Sequence, residues 1–338
     1  MTQRARIVPS SRLRRFGAAA LVAAAIVIGT IADRPRPHQE ITLGGYRVLA
    51  ADFHTHSSTW SDGSLTPWGL VIDAWYQGLD AIAITGHRQT LDAKWGRWFS
   101  ERTGGPIVLV GEELPEIPHH VIAVGIGRTV DSALPIAEQI AEIHRQGGIA
   151  IAAHPGDFFW SGFAPVMDQL DGTEVCHPFT LEYPDVHPEL EEFARRANAA
   201  AIGSSDFHGP GRQGMCRTFV FVREVSAEGI LEAIRAKRTV VYGGPAATAY
   251  GDPQLIQIAE ADGRLREMAS TEYPVSVLDR ISQILGIVGF ALVILPLYSQ
   301  RERLKPTNNA RLATTIVPSA MKYPYFQCSS GMLVKFIP

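Results

Sequence analysis

Residues 46–56 read YRVLAADFHTH, a run of mostly apolar residues that ends in two histidines. The run up to Asp52 has the length and the apolar content of a buried β-strand. His54 and His56 come directly after it, and residues two apart on an extended chain point to the same side. Both imidazoles can therefore bind one metal ion, although a His-x-His pair alone is more often structural or superficial.

The same order, an apolar strand followed by ligand-type side chains, recurs along the chain. Further strands are predicted over Asp80–Thr85, Ile107–Gly111, Val121–Ile126, Ile149–Ala153, Gly172–Val175, Ala199–Gly203, Thr218–Val222 and Thr239–Tyr242. Helical spacing covers Leu65–Gln77, Ser132–Arg145, Pro188–Ala200 and Ser226–Lys237. The ligand-type side chains after the strands are His87, Glu112, Glu113, His154, Asp206 and His208, whereas His119 and His120 precede theirs. Alternating strands and helices predict an α/β fold whose strand ends converge on one face, where these groups meet.

The charge of the chain is unevenly distributed. The 338 residues are 46% hydrophobic and include three Cys, which excludes a disordered or disulfide-framework protein. Residues 33–280 contain 20 Lys and Arg against 33 Asp and Glu, a net charge of −13, and all 11 His. We expect no nucleic-acid partner, because binding a phosphate backbone needs an excess of basic groups. Acidic groups and histidines concentrated together favour a metal site.

Both ends of the chain carry an apolar segment. Residues 1–32 combine five Arg with an uncharged run, which indicates a signal peptide or a signal anchor, and we favour the anchor. Residues 279–300 contain a second uncharged run followed by basic residues, which favours a transmembrane helix over a buried core helix. This arrangement predicts a membrane protein whose 33–245 domain is extracytoplasmic. Residues 246–278 are predicted to be a linker, and 301–338 a basic, poorly ordered tail.

Seven short stretches carry a resemblance to a known family. They are Asp52-Phe53-His54-Thr55-His56, Ser61-Asp62-Gly63, Thr85-Gly86-His87, Gly111-Glu112-Glu113, His120 before Val121-Ile122, His154-Pro155 and Gly203 to His208. As a set, and in this order over residues 50–210, they resemble the PHP (polymerase and histidinol phosphatase) domain family. The resemblance implies a distorted seven-stranded β/α barrel with up to three metal ions.

The resemblance also implies a role for each ligand-type residue. His54, His56, Glu113 and Asp206 would hold one ion, His120 and His154 would complete a second that Glu113 bridges, and Asp62, His87 and His208 would hold a third. Imidazole and carboxylate groups without a Cys cluster favour Zn, Mn or Fe, and the resemblance implies two or three such ions. The family usually has Asp where this chain has Gly86, and that difference places catalytic competence in question.

The resemblance implies a metal-dependent phosphoesterase in which a metal-bound hydroxide attacks phosphorus. Glu113 and Asp206 would hold the ion that generates the hydroxide, and His87 and His208 would position the phosphate oxygens. The expected partner is a small extracytoplasmic phosphate ester or a lipid head group. Two alternatives stay open, namely a hydrolase of carboxylic ester, carbamate or amide bonds and a non-catalytic metal-binding membrane protein.

Several residues have a structural interpretation beside the functional one. Asp62 lies in an ordinary turn sequence, and Glu112 and His119 are weaker ligand candidates than their neighbours. Asp52 and Glu174 are expected to make supporting hydrogen bonds, and His177 is expected to be solvated. The residues that we consider as phosphate clamps are Arg88, Arg212 and Arg217. Cys176 and Cys216 are able to pair, but free buried thiols are the favoured interpretation.

Overall fold

The computed structural model describes residues 11–32, 38–178, 187–209, 211–243, 248–270 and 276–303. The predictions for residues 1–10 and for the tail beyond residue 303 lie outside these ranges. The described part of the chain forms two compact units, one within residues 28–280 and one from residues 11–27 and 281–303.

The larger unit is built on one continuous sheet. Its strands are β1 (Ile41–Leu43), β2 (Tyr46–Asp52), β3 (Ala81–Ile84), β4 (Ile107–Glu116), β5 (His119–Val124), β6 (Ile149–Ala152), β7 (Gly172–Cys176), β8 (Ala200–Gly203), β9 (Thr218–Val222), β10 (Thr239–Gly243) and β11 (Thr248–Gly251). Their order in the sheet is β11-β10-β9-β2-β3-β4-β5-β6-β7-β8, and β1 pairs with β2. The sheet curls so that β8 lies against β10, which makes it a nearly closed α/β barrel.

The prediction of seven strands is wrong, because ten described strands lie on the continuous path. Neighbours β2, β3 and β4 are parallel, as are β6, β7 and β8, and helices connect them. The other strands pair antiparallel, and two of their connections, β4 to β5 and β10 to β11, are only a few residues long. One such strand, β11, lies in the segment 246–278 that we predicted to be a linker. The structure differs from that prediction, since helices also follow β11.

The helices are α1 (Ser11–Ala32), α2 (Pro67–Tyr76), α3 (Leu91–Thr103), α4 (Ile136–Arg145), α5 (Asp157–Phe163), α6 (His187–Ala197), α7 (Ala227–Arg235), α8 (Pro253–Asp262), α9 (Arg264–Ser270) and α10 (Val277–Arg303). A 3₁₀ helix, Ala164–Gln169, follows α5. Side-chain caps begin two of these helices. The Thr66 side chain accepts a hydrogen bond from Gly69 N at the start of α2, and Ser226 accepts from Gly229 N at the start of α7.

Apolar side chains bury both faces of the sheet. One cluster, which includes Phe53, Ile122 and Ile151, fills the inside of the barrel, and another, which includes Leu70, Phe219 and Leu255, lies beneath helices α2 and α8. Burial on both faces explains why the strands read as continuous apolar runs. This packing holds the carboxyl ends of the parallel strands at one end of the barrel, where the predicted ligands lie.

The smaller unit contains two helices in contact. The Ser282 hydroxyl on α10 donates to Ala25 O on α1 at 2.8 Å, and a Cβ at Gly289 would lie 2.8 Å from Val22, so this contact needs glycine. Among the described residues, one segment, Arg14–Ala32, is long and apolar enough to cross a membrane, a property that signal sequences share. The second predicted span lies within α10, and its side chains beyond Val293 are outside the described residues. A membrane location therefore stays a prediction.

Candidate metal centre

The candidate centre lies where the strands end. His54 and His56 follow β2, His87 follows β3, and Glu113 lies within β4. Two isolated β-bridges extend the sheet into this region and pair Thr55 with Phe207 and His87 with Glu113. These bridges bring together segments that are far apart in sequence, so the ligand positions are fixed by backbone hydrogen bonds.

The most buried group of ligands consists of His54, His56, Glu113 and Asp206, and we call it the inner cluster. Asp206 Oδ1 lies 3.2 Å from the Nε2 atom of each histidine. Glu113 Oε2 lies 3.6 Å from His54 Nε2 and 3.5 Å from His56 Nε2. Each of these carboxylate oxygens thus faces both histidines, and the ligand atoms of His54, His56 and Asp206 all lie within 4.8 Å of one another.

Glu113 also faces a second pair of histidines. Its Oε1 atom lies 2.9 Å from His120 Nδ1 and 3.8 Å from His154 Nε2. His120 reaches this position because β4 and β5 form a hairpin in which Pro115 pairs with His120. One carboxylate therefore offers one oxygen to each of two clusters, and the resemblance implies a bridging role for this residue. We call Glu113, His120 and His154 the bridged cluster.

The third predicted group, which we call the outer cluster, contains Asp62, His87 and His208. Asp62 Oδ1 lies 3.3 Å from His208 Nε2 and 4.0 Å from His87 Nε2. His56 joins it, because its Nδ1 atom lies 3.4 Å from Asp62 Oδ1 while its Nε2 atom faces the inner cluster. The Asp62 side chain is 37% exposed and that of His208 is 28% exposed, so this cluster opens to solvent.

One residue of the centre was wrongly expected to be solvated. His177 is buried, and its Nε2 atom lies 3.2 Å from Asp206 Oδ2. With His154 and Asp206 it forms a fourth group whose ligand atoms all lie within 4.8 Å of one another. His177 follows β7 directly, so the strand-end position that identifies the other ligands also applies to it.

Supporting carboxylates hold the inner histidines. Glu174 Oε1 lies 3.0 Å from His54 Nδ1, and its other oxygen accepts a hydrogen bond from His154 N at 2.7 Å. Asp52 accepts from the backbone N–H groups of Ser205 and Gly214, which ties the Asp206 loop to β2. These contacts fix the orientation of the histidines, as carboxylates behind metal ligands do.

The charges of the centre act strongly on one another. Burial lowers the pKa of His54, but the carboxylates of Asp206, Glu113 and Glu174 outweigh it and raise the pKa well above its ordinary value. Asp206, Asp62 and Glu113 likewise outweigh burial at His56 and raise its pKa to about 9. The neighbouring histidines overcome burial at Glu113 and Asp206 and hold the pKa of both carboxyls well below the usual range. A concentration of strongly shifted groups is typical of functional sites.

The residues present fit a divalent metal ion. Among the described residues, the buried Nε2 atoms of His54 and His56 and Oδ1 of Asp206 have no hydrogen-bond partner. Buried polar atoms rarely lack a partner, so such atoms in one place indicate a missing ligand. A tetrahedral ion with bonds of about 2.0–2.2 Å separates its ligand atoms by roughly 3.3–3.6 Å. The separations of 3.2 to 3.6 Å between the carboxylate oxygens of this cluster and its two histidines match that spacing.

Comparison with solved structures finds the same architecture. The chain is similar to a two-domain protein of Bacteroides vulgatus that contains a predicted PHP-like metal-dependent phosphoesterase. The TM-score is 0.56, the sequences are 26% identical, and the match covers 68% of this chain and 74% of the other.

The chain is PHP-like.

Two further matches cover less of this chain. A putative metal-dependent phosphoesterase of Bifidobacterium adolescentis has a TM-score of 0.39 at 22% identity, and the match covers 48% of this chain and 90% of that one. An uncharacterized protein of Methanocaldococcus jannaschii is 26% identical over 143 residues, which are 39% of this chain and 83% of the other. No family model matches the sequence.

In the PHP-like centre, Glu113 and His120 face the ligand groups, whereas their neighbours Glu112 and His119 do not. Glu112 is buried on the other face of β4, where it accepts a hydrogen bond from Val130 N at 2.6 Å and burial raises its pKa to about 7. It lies apart from the clusters that contain Glu113. His119 is likewise absent from the described ligand groups, whereas His120 faces Glu113.

The arginines proposed as phosphate clamps have other partners in two cases. Arg88 pairs with Glu116 at 2.7 Å, and the buried Arg217 donates to Gly214 O at 3.0 Å. The role suggested for Arg212 stays a hypothesis. Phe159 of α5 borders the PHP-like centre, because its ring centroid lies 4.6 Å from that of His120 and 5.1 Å from that of His154.

The cysteines near the centre are paired, so the favoured interpretation as free thiols is wrong. Cys176 at the end of β7 and Cys216 form a disulfide across 40 residues. The pairing depends on β7 and the loop before β9 being neighbours in space, which the sequence spacing does not reveal. The disulfide ties the residue before His177 to the segment that follows His208.

Proposed function

We propose that this protein is a metal-dependent phosphoesterase that hydrolyses an extracytoplasmic phosphate ester. One observation carries the proposal: Glu113 faces the inner cluster with one oxygen and the bridged cluster with the other, at the open end of a PHP-like barrel. Adjacent ligand groups that share a carboxylate are the protein part of a multi-metal hydrolytic site. The similarity to a predicted PHP-like metal-dependent phosphoesterase supports the same function.

The chain supplies the scaffold of the reaction. Bound divalent ions would neutralise the charge of a phosphate ester and lower the pKa of a coordinated water. Glu113 and Asp206 would hold ions at the buried end, with Glu174 fixing His54 behind them. His87 and His208 face the solvent side, where an incoming phosphate would meet the ions that they help to hold. We assign no Ser or Cys nucleophile, because the ligand groups suffice for this chemistry.

The proposed location is the outside of the cytoplasmic membrane. The Cys176–Cys216 disulfide supports it, because disulfides form and persist in oxidising compartments. The apolar segment Arg14–Ala32 with its preceding arginines supports an export signal or an anchor. The proposed substrate is a small phosphate ester or a lipid head group. Because both the substrate and the domain are negatively charged, bound metal ions would be needed to attract the substrate into the site.

The activity is tested with purified protein loaded in turn with Zn²⁺, Mn²⁺ and Fe²⁺. Initial rates are measured on panels of phosphomonoesters, phosphodiesters, carboxylic esters, carbamates and amides. We expect hydrolysis of phosphate esters by the wild type and by Glu112→Gln, and loss of that hydrolysis in Glu113→Gln. Preference for carboxylic esters, carbamates or amides would replace the proposed substrate class, and hydrolysis of none of them would favour the non-catalytic alternative.

The location is tested by protease treatment of cells that express the full chain, after removal of any outer envelope. An extracytoplasmic domain is digested while the membrane is intact, whereas a cytoplasmic marker protein survives. Protection of the domain until the cells are lysed would contradict the proposed location.

A further inference from the structure

The carboxylate of Asp92 occupies the space beside Gly86 that a side chain at position 86 would fill. A Cβ at residue 86 would lie 2.4 Å from Asp92 Oδ2 and 2.4 Å from Gln89 Nε2. Non-bonded atoms do not approach so closely, so a side chain at 86 and the present position of Asp92 exclude each other. The residue type at position 86 is therefore coupled to the carboxylate that α3 places beside it.

Asp92 is held in this position firmly. It lies in the first turn of α3 and is completely buried. Oδ2 accepts a hydrogen bond from the Ser57 hydroxyl at 2.7 Å, and Oδ1 accepts from Ala93 N at 2.6 Å. Burial raises the pKa of Asp92, and hydrogen bonds from Ser57 and Gln89 oppose that rise. A buried carboxylate is costly, so its retention here calls for a function or a compensating contact.

Ser57 connects Asp92 to the outer cluster. It follows His56 directly, and its carbonyl oxygen accepts a hydrogen bond from Gly63 N at 3.0 Å, which closes the loop that carries Asp62. Ser61 in the same loop places its Oγ atom 3.4 Å from His56 Nδ1 and accepts from His87 N at 3.2 Å. A shift of Ser57 would therefore move Asp62 and the Ser61 contacts together.

We propose that Asp92 is a positioning residue of the outer cluster and holds the 57–63 loop through its hydrogen bond with Ser57. In this role the carboxylate of Asp92, on helix α3, takes the place of a carboxylate that an Asp at position 86 would otherwise supply. The inference rests on the metal site of the proposed function. It also gives the Gly86 difference from the PHP pattern a physical explanation, because the carboxylate has a different origin in the sequence and the same place in the fold.

The test measures metal ions per chain by mass spectrometry for the full-length protein. The variants are Asp92→Ala, Ser57→Ala, Gly86→Asp and the double variant Gly86→Asp/Asp92→Ala. We expect each single variant to lose one ion per chain relative to the wild type, since a side chain at position 86 beside Asp92 would force the loop to move. The double variant should regain the ion, because its carboxylate occupies the vacated space. Ser57→Ala keeps the test valid if Asp92→Ala does not fold.

Asp171→Ala is the matched control. Asp171 also accepts a backbone hydrogen bond, from Ala150 N at 2.8 Å, at the far end of the strands. The Asp171→Ala variant should be less stable than the wild type but bind the same number of metal ions per chain. Full metal content in both Asp92→Ala and Ser57→Ala, or a double variant no better than Asp92→Ala, would overturn the assignment of Asp92 and leave the proposed function intact. A wild type that binds no ion would overturn both.

Discussion

The inner and outer clusters share His56 but differ in how the fold holds them. His54 and His56 are fully buried and Glu113 is 3% exposed, whereas Asp62 is 37% exposed. The inner ligands lie at strand ends whose backbones are paired, and Glu174 and Asp52 support them from behind. Asp62 lies in a loop. The difference suggests that an inner ion is bound tightly and contributes to stability, whereas an outer ion exchanges and meets the substrate.

The largest effect is expected from the carboxylate that two clusters share. Glu113→Gln removes a charged ligand from both, so we expect loss of most bound metal and a fall in kcat/KM of at least about 100-fold. Glu112→Gln is the matched control, because its side chain lies on the other face of the same strand. It should retain metal and activity, and above pH 7 it should be more stable, because the wild-type Glu112 must then ionise while buried. Equal metal loss in both variants would show that the loss reflects general damage to β4.

Removal of the Cys176–Cys216 disulfide tests whether the stability of the fold and metal binding by the inner cluster depend on the same contacts. Cys176→Ser/Cys216→Ser removes a link that closes a 40-residue loop, and we expect the free energy of unfolding to fall by about 2–4 kcal/mol. Denaturant titration of the metal-loaded protein measures the change, with Cys328→Ser as the control for loss of a cysteine. Metal should still bind the inner cluster, whose ligands do not include either cysteine. An unchanged unfolding midpoint would contradict a stabilising disulfide.

Asp62→Ala should remove an ion from the outer cluster while the inner cluster keeps its own. Asp62 contacts His208 and His87 but belongs to no other ligand group, so we expect the loss of one ion and a roughly 10–100-fold lower kcat/KM. Thermal stability in the metal-loaded state should change little, because the inner cluster remains. Mass spectrometry and a melting curve on the same sample measure both quantities. A fall in melting temperature equal to that of Asp206→Ala would remove the distinction between the clusters.

The smallest expected effect is the pH dependence of metal stabilisation. In the metal-free protein His56 has a pKa of about 9, above its unfolded value, so its contribution to stability is complete below about pH 6.5 and is lost as pH rises to 9. A metal ion needs the neutral imidazole, so protons compete with metal over this range. The difference in melting temperature between metal-loaded and chelated protein should therefore widen from pH 6.5 to 9. A constant difference would contradict the assigned protonation.

The features best predicted from the sequence are those that depend only on the order of residues along the chain. His54, His56 and Asp206 follow strands, and Glu113 follows the apolar first half of β4. Parallel strands in a curled sheet bring such positions together without further information. The helix caps at Thr66 and Ser226 are equally local, since a cap acts on a backbone N–H three residues away.

Features that depend on which segments become neighbours are harder to predict. His177 and the disulfide of Cys176 require β7 to lie beside the Asp206 loop, and spacing along the chain does not show this contact. The helices α8 and α9 have short sequences with weak apolar patterns, so their segment resembles a linker. Asp92 has no motif at all, and only the space above Gly86 reveals its place.

Anomalous X-ray diffraction from crystals of the metal-loaded protein, at the absorption edge of the bound metal, would locate the ions directly. We expect separate peaks within bonding distance, about 2.0–2.3 Å, of ligand atoms in the inner and bridged clusters, with Glu113 contacting both. A weaker peak is expected beside Asp62, His87 and His208. Metal peaks remote from Glu113, or no peak in loaded crystals, would contradict the claim that these strand ends form a multi-metal centre.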